Sequence, residues 1–187
     1  MSQGELLARI VGRLDAAGIP HMVVGSLASS FHAEPRTTRD LDLVIDPTAD
    51  ALRRFVDALP ASDFYVDAGA AREALDRRSS FNVVEIETGW KVDLMIRKDR
   101  PFSREEMDRR IAVRLLGTDT YIATAEDTII AKLEWAKAGE SERQLLDVAA
   151  ILAANDTLDA AYLERWIAML NLADVWGRAQ RLTSAGD

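Results

Sequence analysis

The strictest constraint on the fold is an alternation of acidic and apolar residues over 39–45. The order is Arg-Asp-Leu-Asp-Leu-Val-Ile, and a period of two is typical of a β-strand with one face against a core. Asp40 and Asp42 would share the other face, with their Cα atoms roughly 7 Å apart. Two carboxylates in that position can converge on one or two divalent cations. An Asp-x-Asp pair alone fits at least as well with exposed acids on an ordinary edge strand.

The pair Gly25-Ser26 precedes this strand at a predicted strand-to-helix turn. Backbone N–H groups at such a turn, together with the Ser26 hydroxyl, can bind phosphate. Arg36 and Arg39 lie between the turn and the acids, where each can neutralise phosphate oxygens or pair with a carboxylate. This part of the chain therefore combines a candidate phosphate site with candidate cation ligands.

A third carboxylate, Asp93, lies in the middle of another predicted strand. It stands between Val92 and Leu94, where burial of an unpaired acid would be costly. An acid in that position usually has a metal ion or another cation as its partner. Three carboxylates on adjacent strands beside a phosphate site are what metal-assisted phosphoryl transfer requires. Glu85 and Glu87 on the partner strand are the fallback candidates for the third acid.

The remaining pattern predicts a mixed chain with a helical C-terminal part. Strands are predicted at 21–24, 39–45, 64–66, 81–87, 90–96 and 120–123. Helices are predicted between Ser2 and Gly18 and at 27–33, 48–59, 70–78, 103–116, 125–137, 141–154, 158–170 and 173–182. We therefore expect an α/β (α+β) fold, a small mixed β-sheet flanked by helices. Residues 1–123 would form the core, and residues 124–187 a helical C-terminal subdomain.

Charge and composition exclude several classes of protein. The chain has 23 Lys and Arg against 31 Asp and Glu, a net charge of −8, which argues against extensive DNA binding. Since it has no cysteine, disulfides, iron–sulfur clusters and zinc–thiolate sites are excluded. Its two histidines are a poor supply for a zinc site built on histidines. No apolar run approaches the roughly 18 residues that a membrane span needs. We expect a cytoplasmic protein.

The segments around the acids resemble a known superfamily. Residues 24–28, VGSLA, followed by residues 36–45, RTTRDLDLVI, are similar to the hG[GS]xA…RxTxDhDhhh signature (h, hydrophobic) of the DNA polymerase beta-type nucleotidyltransferases. Within that superfamily the chain resembles the small bacterial AbiEii-like group of toxin-type nucleotidyltransferases. Segments 125–135 and 141–147 look like the later motifs of that group, which contain a lysine and an aspartate at Lys132 and Asp147.

The resemblance implies a role for each of these residues. Asp40 and Asp42 would bind two Mg²⁺ ions, and Asp93 would bind the ion at the nucleophile and assist its deprotonation. The triphosphate would lie at the Gly-Ser turn, and the C-terminal subdomain would complete the nucleotide pocket. The residues implied in nucleotide binding are Gly25, Ser26, Arg36, Thr38, Arg39, Lys132, Arg143 and Asp147.

The reaction that this pattern predicts is a magnesium-dependent transfer of a nucleoside monophosphate from an NTP to a hydroxyl acceptor, with release of pyrophosphate. The acceptor is left open between a tRNA end, a protein side chain and a small molecule such as an aminoglycoside. One alternative is a non-catalytic, nucleotidyltransferase-like protein that binds NTP or acts as the partner in a toxin–antitoxin pair. A further alternative is an α/β domain whose acids are structural.

Overall fold

The computed structural model describes residues 1–33, 40–139 and 141–184. Within them the chain forms nine helices and seven strands. The helices are α1 (Gln3–Ala16), α2 (Gly25–His32), α3 (Ala49–Asp57), α4 (Ala68–Arg77), α5 (Pro101–Arg109), α6 (Ala125–Gly139), α7 (Glu142–Ala154), α8 (Ala160–Met169) and α9 (Ala173–Ser184). The strands are β1 (His21–Val23), β2 (Leu41–Ile45), β3 (Phe64–Val66), β4 (Ser80–Glu85), β5 (Lys91–Ile96), β6 (Ile111–Leu115) and β7 (Thr118–Ile122). None of the described helices is long and apolar enough to cross a bilayer.

All seven strands form one mixed sheet. Their order is β3-β4-β5-β2-β1-β7-β6. The pairs β2–β5 and β1–β7 are parallel, and the other neighbouring strands are antiparallel. The predicted α/β (α+β) fold, with a small mixed sheet flanked by helices, is confirmed.

The chain divides into two compact units. The first comprises Met1–Leu27 and Thr38–Ala123, and the second comprises Ala28–Thr37 and Thr124–Asp187. The whole sheet belongs to the first unit, together with α1, α3, α4 and α5. The second unit contains α6 to α9, and the division falls within α2.

The alternation in β2 gives the sheet one apolar face. The side chains of Leu41, Leu43 and Ile45 are fully buried, and the residues between them are half-buried. The neighbouring strand β5 repeats this pattern with Val92, Leu94 and Ile96. Each of these aliphatic side chains contributes about 1.5–3 kcal/mol through burial. The strands that carry the acids are therefore anchored firmly in the core.

The helices of the first unit begin where polar residues cap them. At α1, the Ser2 side chain accepts a hydrogen bond from the Glu5 backbone N–H, and the Glu5 side chain accepts one from the Ser2 backbone N–H. These two reciprocal hydrogen bonds form a capping box at the start of the helix. Thr48 caps α3 in a similar way, through the Ala51 N–H.

The prediction of a single helix over 103–116 was wrong. The helix α5 begins at Pro101, and Ile111–Leu115 is the strand β6. A two-residue turn joins β6 to β7, and both turn residues have positive φ, 49° at Leu116 and 84° at Gly117. Two such angles are typical of a type I′ hairpin turn. The turn pairs the two strands, and this pairing outweighs the helical spacing of the apolar residues.

In the second unit the four helices pack on one another. Helix α6 contacts α7, α8 and α9, and α9 also contacts α7 and α8. Asn155, which follows α7, donates to the backbone carbonyl of His32 at 2.7 Å and to that of Ile151 at 2.7 Å. These bonds satisfy carbonyl groups at the C-terminal ends of two helices, which have no partner within their own helix.

Glu85 stabilises the β4–β5 hairpin. Its carboxylate is buried and accepts hydrogen bonds from the Thr88 hydroxyl, the Thr88 N–H and the Glu87 N–H. The hydrogen bonds to Thr88, above all that from its side chain, hold the pKa of Glu85 below its ordinary value of 4.5. Since the folded pKa is lowered, this stabilisation is fully present above pH 4.5 and is lost as the pH falls through the folded pKa.

We therefore expect a Glu85→Gln variant to be less stable than the wild type at pH 7, because the charge that orders the turn is gone. The difference in free energy of unfolding should shrink as the pH falls below about 4.5, where the unfolded wild type takes up a proton. Urea unfolding of both proteins between pH 7 and pH 3 measures it. The matched control is Glu87→Gln, at an exposed position of the same turn. A difference that stays constant with pH would show that the charge of Glu85 is not responsible.

Candidate active site

The parallel pairing of β2 with β5 brings two of the predicted acids together. Asp42 and Asp93 are direct partners in the register, so they lie side by side on hydrogen-bonded strands about 4.8 Å apart. Both are half-buried and lie on the face opposite the aliphatic core. Asp40 comes two residues before Asp42 and is exposed. The sequence predicted the two strands, and the structure adds that they are neighbours in register.

The Gly-Ser turn adjoins the same acids. Strand β1 is antiparallel to β2, and the Val24 N–H donates to the Asp42 carbonyl at 3.0 Å. Gly25 follows with φ +65°, and a β-carbon at this position would lie 2.2 Å from Asp42 Oδ2. Both the backbone angle and the close approach exclude a side chain here. Ser26 follows in the first turn of α2 and is half-buried.

Beyond the acids, the same face of the sheet is apolar. Val44 and Met95 follow the two aspartates on their strands and are direct partners in the register. They pack against a small cluster of buried residues, which is formed by Met22, Val24, Met107 and Ala123. The two carboxylates therefore lie at the margin of a packed cluster, on strands whose other face is also buried. Such support holds side chains in a defined geometry.

Lys91 forms an ion pair with Asp93 that sequence reasoning missed. Its Nζ lies 2.9 Å from Asp93 Oδ2, and the two side chains are 46% and 32% exposed. The hydrogen bond to Asp93 is the main cause that raises the pKa of Lys91, and the charges of Asp93, Asp40 and Asp42 raise it further. The signal in the sequence was the spacing, since residues two apart on a strand share a face.

The donor chemistry of these acids fits Mg²⁺, which prefers carboxylate oxygens. Within the described part of the chain, however, no three acidic or imidazole groups are gathered closely enough to hold a metal ion as they stand. Asp93 instead uses one oxygen for Lys91. Asp42 and Asp93 are adjacent on one face of the sheet, so an ion between them could contact both carboxylates.

In the second unit, Lys132 and Asp147 form a buried ion pair. Lys132 Nζ donates to Asp147 Oδ2 at 2.6 Å and to Gln144 Oε1 at 3.0 Å. The side chains of the pair are only 6% and 10% exposed. Arg143, one turn earlier on α7, is exposed. The structure therefore brings Lys132 and Asp147 together and leaves Arg143 at the surface.

A second buried acid in this unit lies at the start of α6. Asp127 is fully buried, and its carboxylate accepts hydrogen bonds from the Tyr162 hydroxyl and from the Thr124 hydroxyl, the latter at 2.7 Å. The Asp127 N–H in turn donates to the Thr124 hydroxyl oxygen at 3.1 Å. These contacts fix the first turn of α6 against α8.

The other predicted residues lie elsewhere or outside the described part of the chain. Glu85, a fallback for the third acid, belongs to the buried face of β4 and orders the hairpin turn, and Glu87 is exposed in that turn. On β4 the residue opposite Asp93 is Asn82. Arg36, Thr38 and Arg39 lie outside the described residues.

The sheet places an acidic strand, β2, between a second acidic strand, β5, and the strand that leads into the Gly-Ser turn, β1. Several solved structures have a similar fold. The antibiotic-resistance factor ANT(2″)-Ia, in complex with adenylyl-2″-tobramycin, is 14% identical, with a TM-score of 0.59 over 95% of this chain and 99% of that one. A nucleotidyltransferase-like antigenic protein from Paracoccidioides brasiliensis is 14% identical, with a TM-score of 0.58 over 92% and 90%.

A third similar structure is the lincosamide antibiotic adenylyltransferase LnuA with bound lincomycin. It is 11% identical to this chain, with a TM-score of 0.54 over 83% of this chain and 99% of that one. No protein-family model matches the chain, and no curated protein matches it. At such identities the likeness shows the fold. The chain has the nucleotidyltransferase-like fold.

Proposed function

We propose that this protein is a magnesium-dependent nucleotidyltransferase that transfers a nucleoside monophosphate from an NTP to a hydroxyl acceptor and releases pyrophosphate. The observation that carries the proposal is the position of Asp42. Its side chain is packed against Gly25 on one side, and its strand partner on the other side is Asp93. This adjacency supports a site in which the turn would bind phosphate and the two carboxylates would bind metal ions.

In the proposed reaction the turn binds the triphosphate. Gly25 leaves room for the Asp42 carboxylate beside the turn, and the backbone N–H groups at the start of α2 would bind phosphate oxygens next to it. Ser26 adds a hydroxyl donor, and the N-terminal end of the helix dipole favours the negative charge. Arg36, Thr38 and Arg39, which follow in the sequence, are proposed to complete the phosphate contacts. The turn thereby holds the α-phosphorus near the carboxylates.

The aspartates act on the acceptor and the ions. Asp40, Asp42 and Asp93 would hold two Mg²⁺ ions, which when bound neutralise phosphate charge and lower the pKa of the acceptor hydroxyl. Asp93 takes part in removing the hydroxyl proton. The acceptor oxygen then forms its bond to the α-phosphorus as the bond to the bridging oxygen of the β-phosphate breaks. Pyrophosphate leaves with that oxygen, so the protein needs no nucleophile of its own.

Lys132 is proposed to contact nucleotide phosphates as well, with Arg143 and Asp147 beside it. Lys132 already donates to Asp147 and Gln144, which would hold its ammonium in one position. Arg143 is exposed, and we propose that its guanidinium contacts the anionic ligand.

The acceptor is a tRNA end, a protein side chain or a small molecule. The bound ligands of two similar structures, adenylyl-2″-tobramycin and lincomycin, favour a small hydroxylated molecule. A net charge of −8 favours a cationic one. The likeness to the toxin-type group favours RNA or protein, with an antitoxin as partner. In each case the NTP supply would come from the cytoplasm, where we propose that the enzyme acts.

Labelled nucleotides test the proposal directly. The purified protein is incubated with Mg²⁺, a cell extract and each NTP in turn, labelled at the α-phosphate or at the γ-phosphate. We expect the α-label to enter an acceptor and the γ-label to leave as pyrophosphate. Sensitivity of the product to ribonuclease or to protease then identifies the acceptor class. Transfer of the γ-label would contradict the proposal, and NTP binding without any transfer would favour the non-catalytic alternative.

A further inference from the structure

We propose that Lys91 is a built-in counter-ion of the acidic site and that a divalent cation must displace it from Asp93 in order to bind. This inference rests on the proposed function, because it concerns the same carboxylates. Its basis is the ion pair between Lys91 Nζ and Asp93 Oδ2, at 2.9 Å. Lys91 is here a positioning residue that controls how strongly the site binds metal.

The register explains why Lys91 faces all three acids. It precedes Asp93 by two residues on β5 and therefore lies on the same face of the sheet. Leu41 pairs with Val92, so continuing the register by one residue sets Asp40 opposite Lys91. The charges of Asp40, Asp42 and Asp93 all act on the ammonium group. Its interaction is therefore with the whole acidic cluster.

A lysine in this position competes with a metal ion. An ammonium group and a divalent cation use the same lone pairs of a carboxylate, so Asp93 Oδ2 cannot serve both. Lysine is a compact charge on a flexible stem, and the Lys91 side chain is 46% exposed, so it can swing into solvent at small cost. In the metal-free protein the ammonium offsets the repulsion among the carboxylates. In the metal-bound protein the ions take over that role.

Neutralising Lys91 should therefore strengthen metal binding. We expect Lys91→Met to bind Mn²⁺ roughly threefold to tenfold more tightly than the wild type, since a positive charge close to the ion is removed and partial exposure screens its effect. Lys91→Gln, which keeps a hydrogen-bond donor for Asp93, should show the same direction of change. Electron paramagnetic resonance of free Mn²⁺ at pH 7.5, low ionic strength and without nucleotide measures the affinity.

Two matched variants separate the site from a general effect of charge. Lys98→Met makes the same change of net charge at an exposed position outside β5, and Lys91→Arg keeps the charge in place. We expect both to bind Mn²⁺ within about twofold of the wild type. Unchanged or weaker binding by Lys91→Met and Lys91→Gln would overturn the inference, and so would equal tightening by Lys98→Met.

Thermal unfolding supplies a second readout that needs no activity. We expect the metal-free Lys91→Met protein to melt at a lower temperature than the wild type, and added Mn²⁺ to raise its melting temperature more. An equal rise in both proteins would count against displacement. Failure of the proposed function looks different. In that case the wild type would bind no Mn²⁺ at a site that Asp42→Asn removes, or it would bind Mn²⁺ there and transfer no nucleotide.

Discussion

An Asp42→Asn variant is expected to lose nucleotidyl transfer by about a thousandfold or more. Asp42 lies between the Gly-Ser turn and Asp93, and in the proposed reaction it would hold the metal ions together with Asp40 and Asp93. Asparagine fills the same volume but has no charge, so it holds a divalent cation weakly and leaves the developing charge on phosphate uncompensated. Initial rates with a labelled NTP and excess acceptor measure the loss.

The fold should survive this substitution. Asparagine has the same shape as aspartate, so the close packing against Gly25 is unchanged, and removal of one of three neighbouring negative charges relieves repulsion. We expect the urea midpoint to equal or exceed that of the wild type. The matched control is Asp57→Asn, an exposed residue at the end of α3, which should keep full activity. Transfer by Asp42→Asn within tenfold of the wild-type rate would refute the assigned role.

The sequence predicted this part of the site because local patterns determine it. The acidic–apolar alternation of β2 can bury only one set of side chains, so it fixes which face Asp42 occupies. Gly25 was predicted as a turn residue, and its positive φ agrees with that prediction. The sequence could not show that Asp42 Oδ2 fills the space of the missing side chain of Gly25. That contact depends on the pairing of β1 with β2, which is long-range.

Other features could not be predicted because they depend on pairing between distant segments. Ile111–Leu115 has apolar residues that fit helical spacing as well as a strand, and its pairing with β7 decided the outcome. The β2–β5 register brings the charge of Lys91 to Asp40 and Asp42. Glu85 is an acid in a strand, as Asp93 is, but the pleat directs it to the opposite, buried face. Because side chains alternate between the two faces of a strand, a shift of one residue along it separates a residue that orders the hairpin from a candidate catalytic residue.

Lys132→Met is expected to destabilise the protein by about 3–5 kcal/mol, the usual cost when one partner of a buried ion pair is removed. The Lys132–Asp147 pair is almost inaccessible to solvent, with 6% and 10% of the side chains exposed. Methionine has a similar length, but it leaves the Asp147 carboxylate buried without the ammonium that lies 2.6 Å from it. Urea unfolding followed by circular dichroism measures the loss.

An exposed ion pair supplies the control. Arg77 and Glu73 lie 3.0 Å apart on α4 with 74% and 59% of their side chains exposed, so Arg77→Met should cost less than about 1 kcal/mol. A similar cost for the two substitutions would show that burial of the Lys132–Asp147 pair is unimportant. The double variant Lys132→Met, Asp147→Leu should recover most of the stability, because a buried pair replaced by apolar residues is often neutral.

The double variant also separates the two roles of Lys132. It restores a stable fold without returning the ammonium group, so a remaining defect in nucleotide use cannot come from unfolding. If Lys132 binds nucleotide phosphates, the KM for NTP should rise about tenfold or more in the double variant while the stability is near that of the wild type. If KM is unchanged, the lysine serves only to neutralise Asp147. A purely structural role of Lys132 predicts only the loss of stability and its recovery in the double variant. A phosphate contact predicts the rise in KM as well.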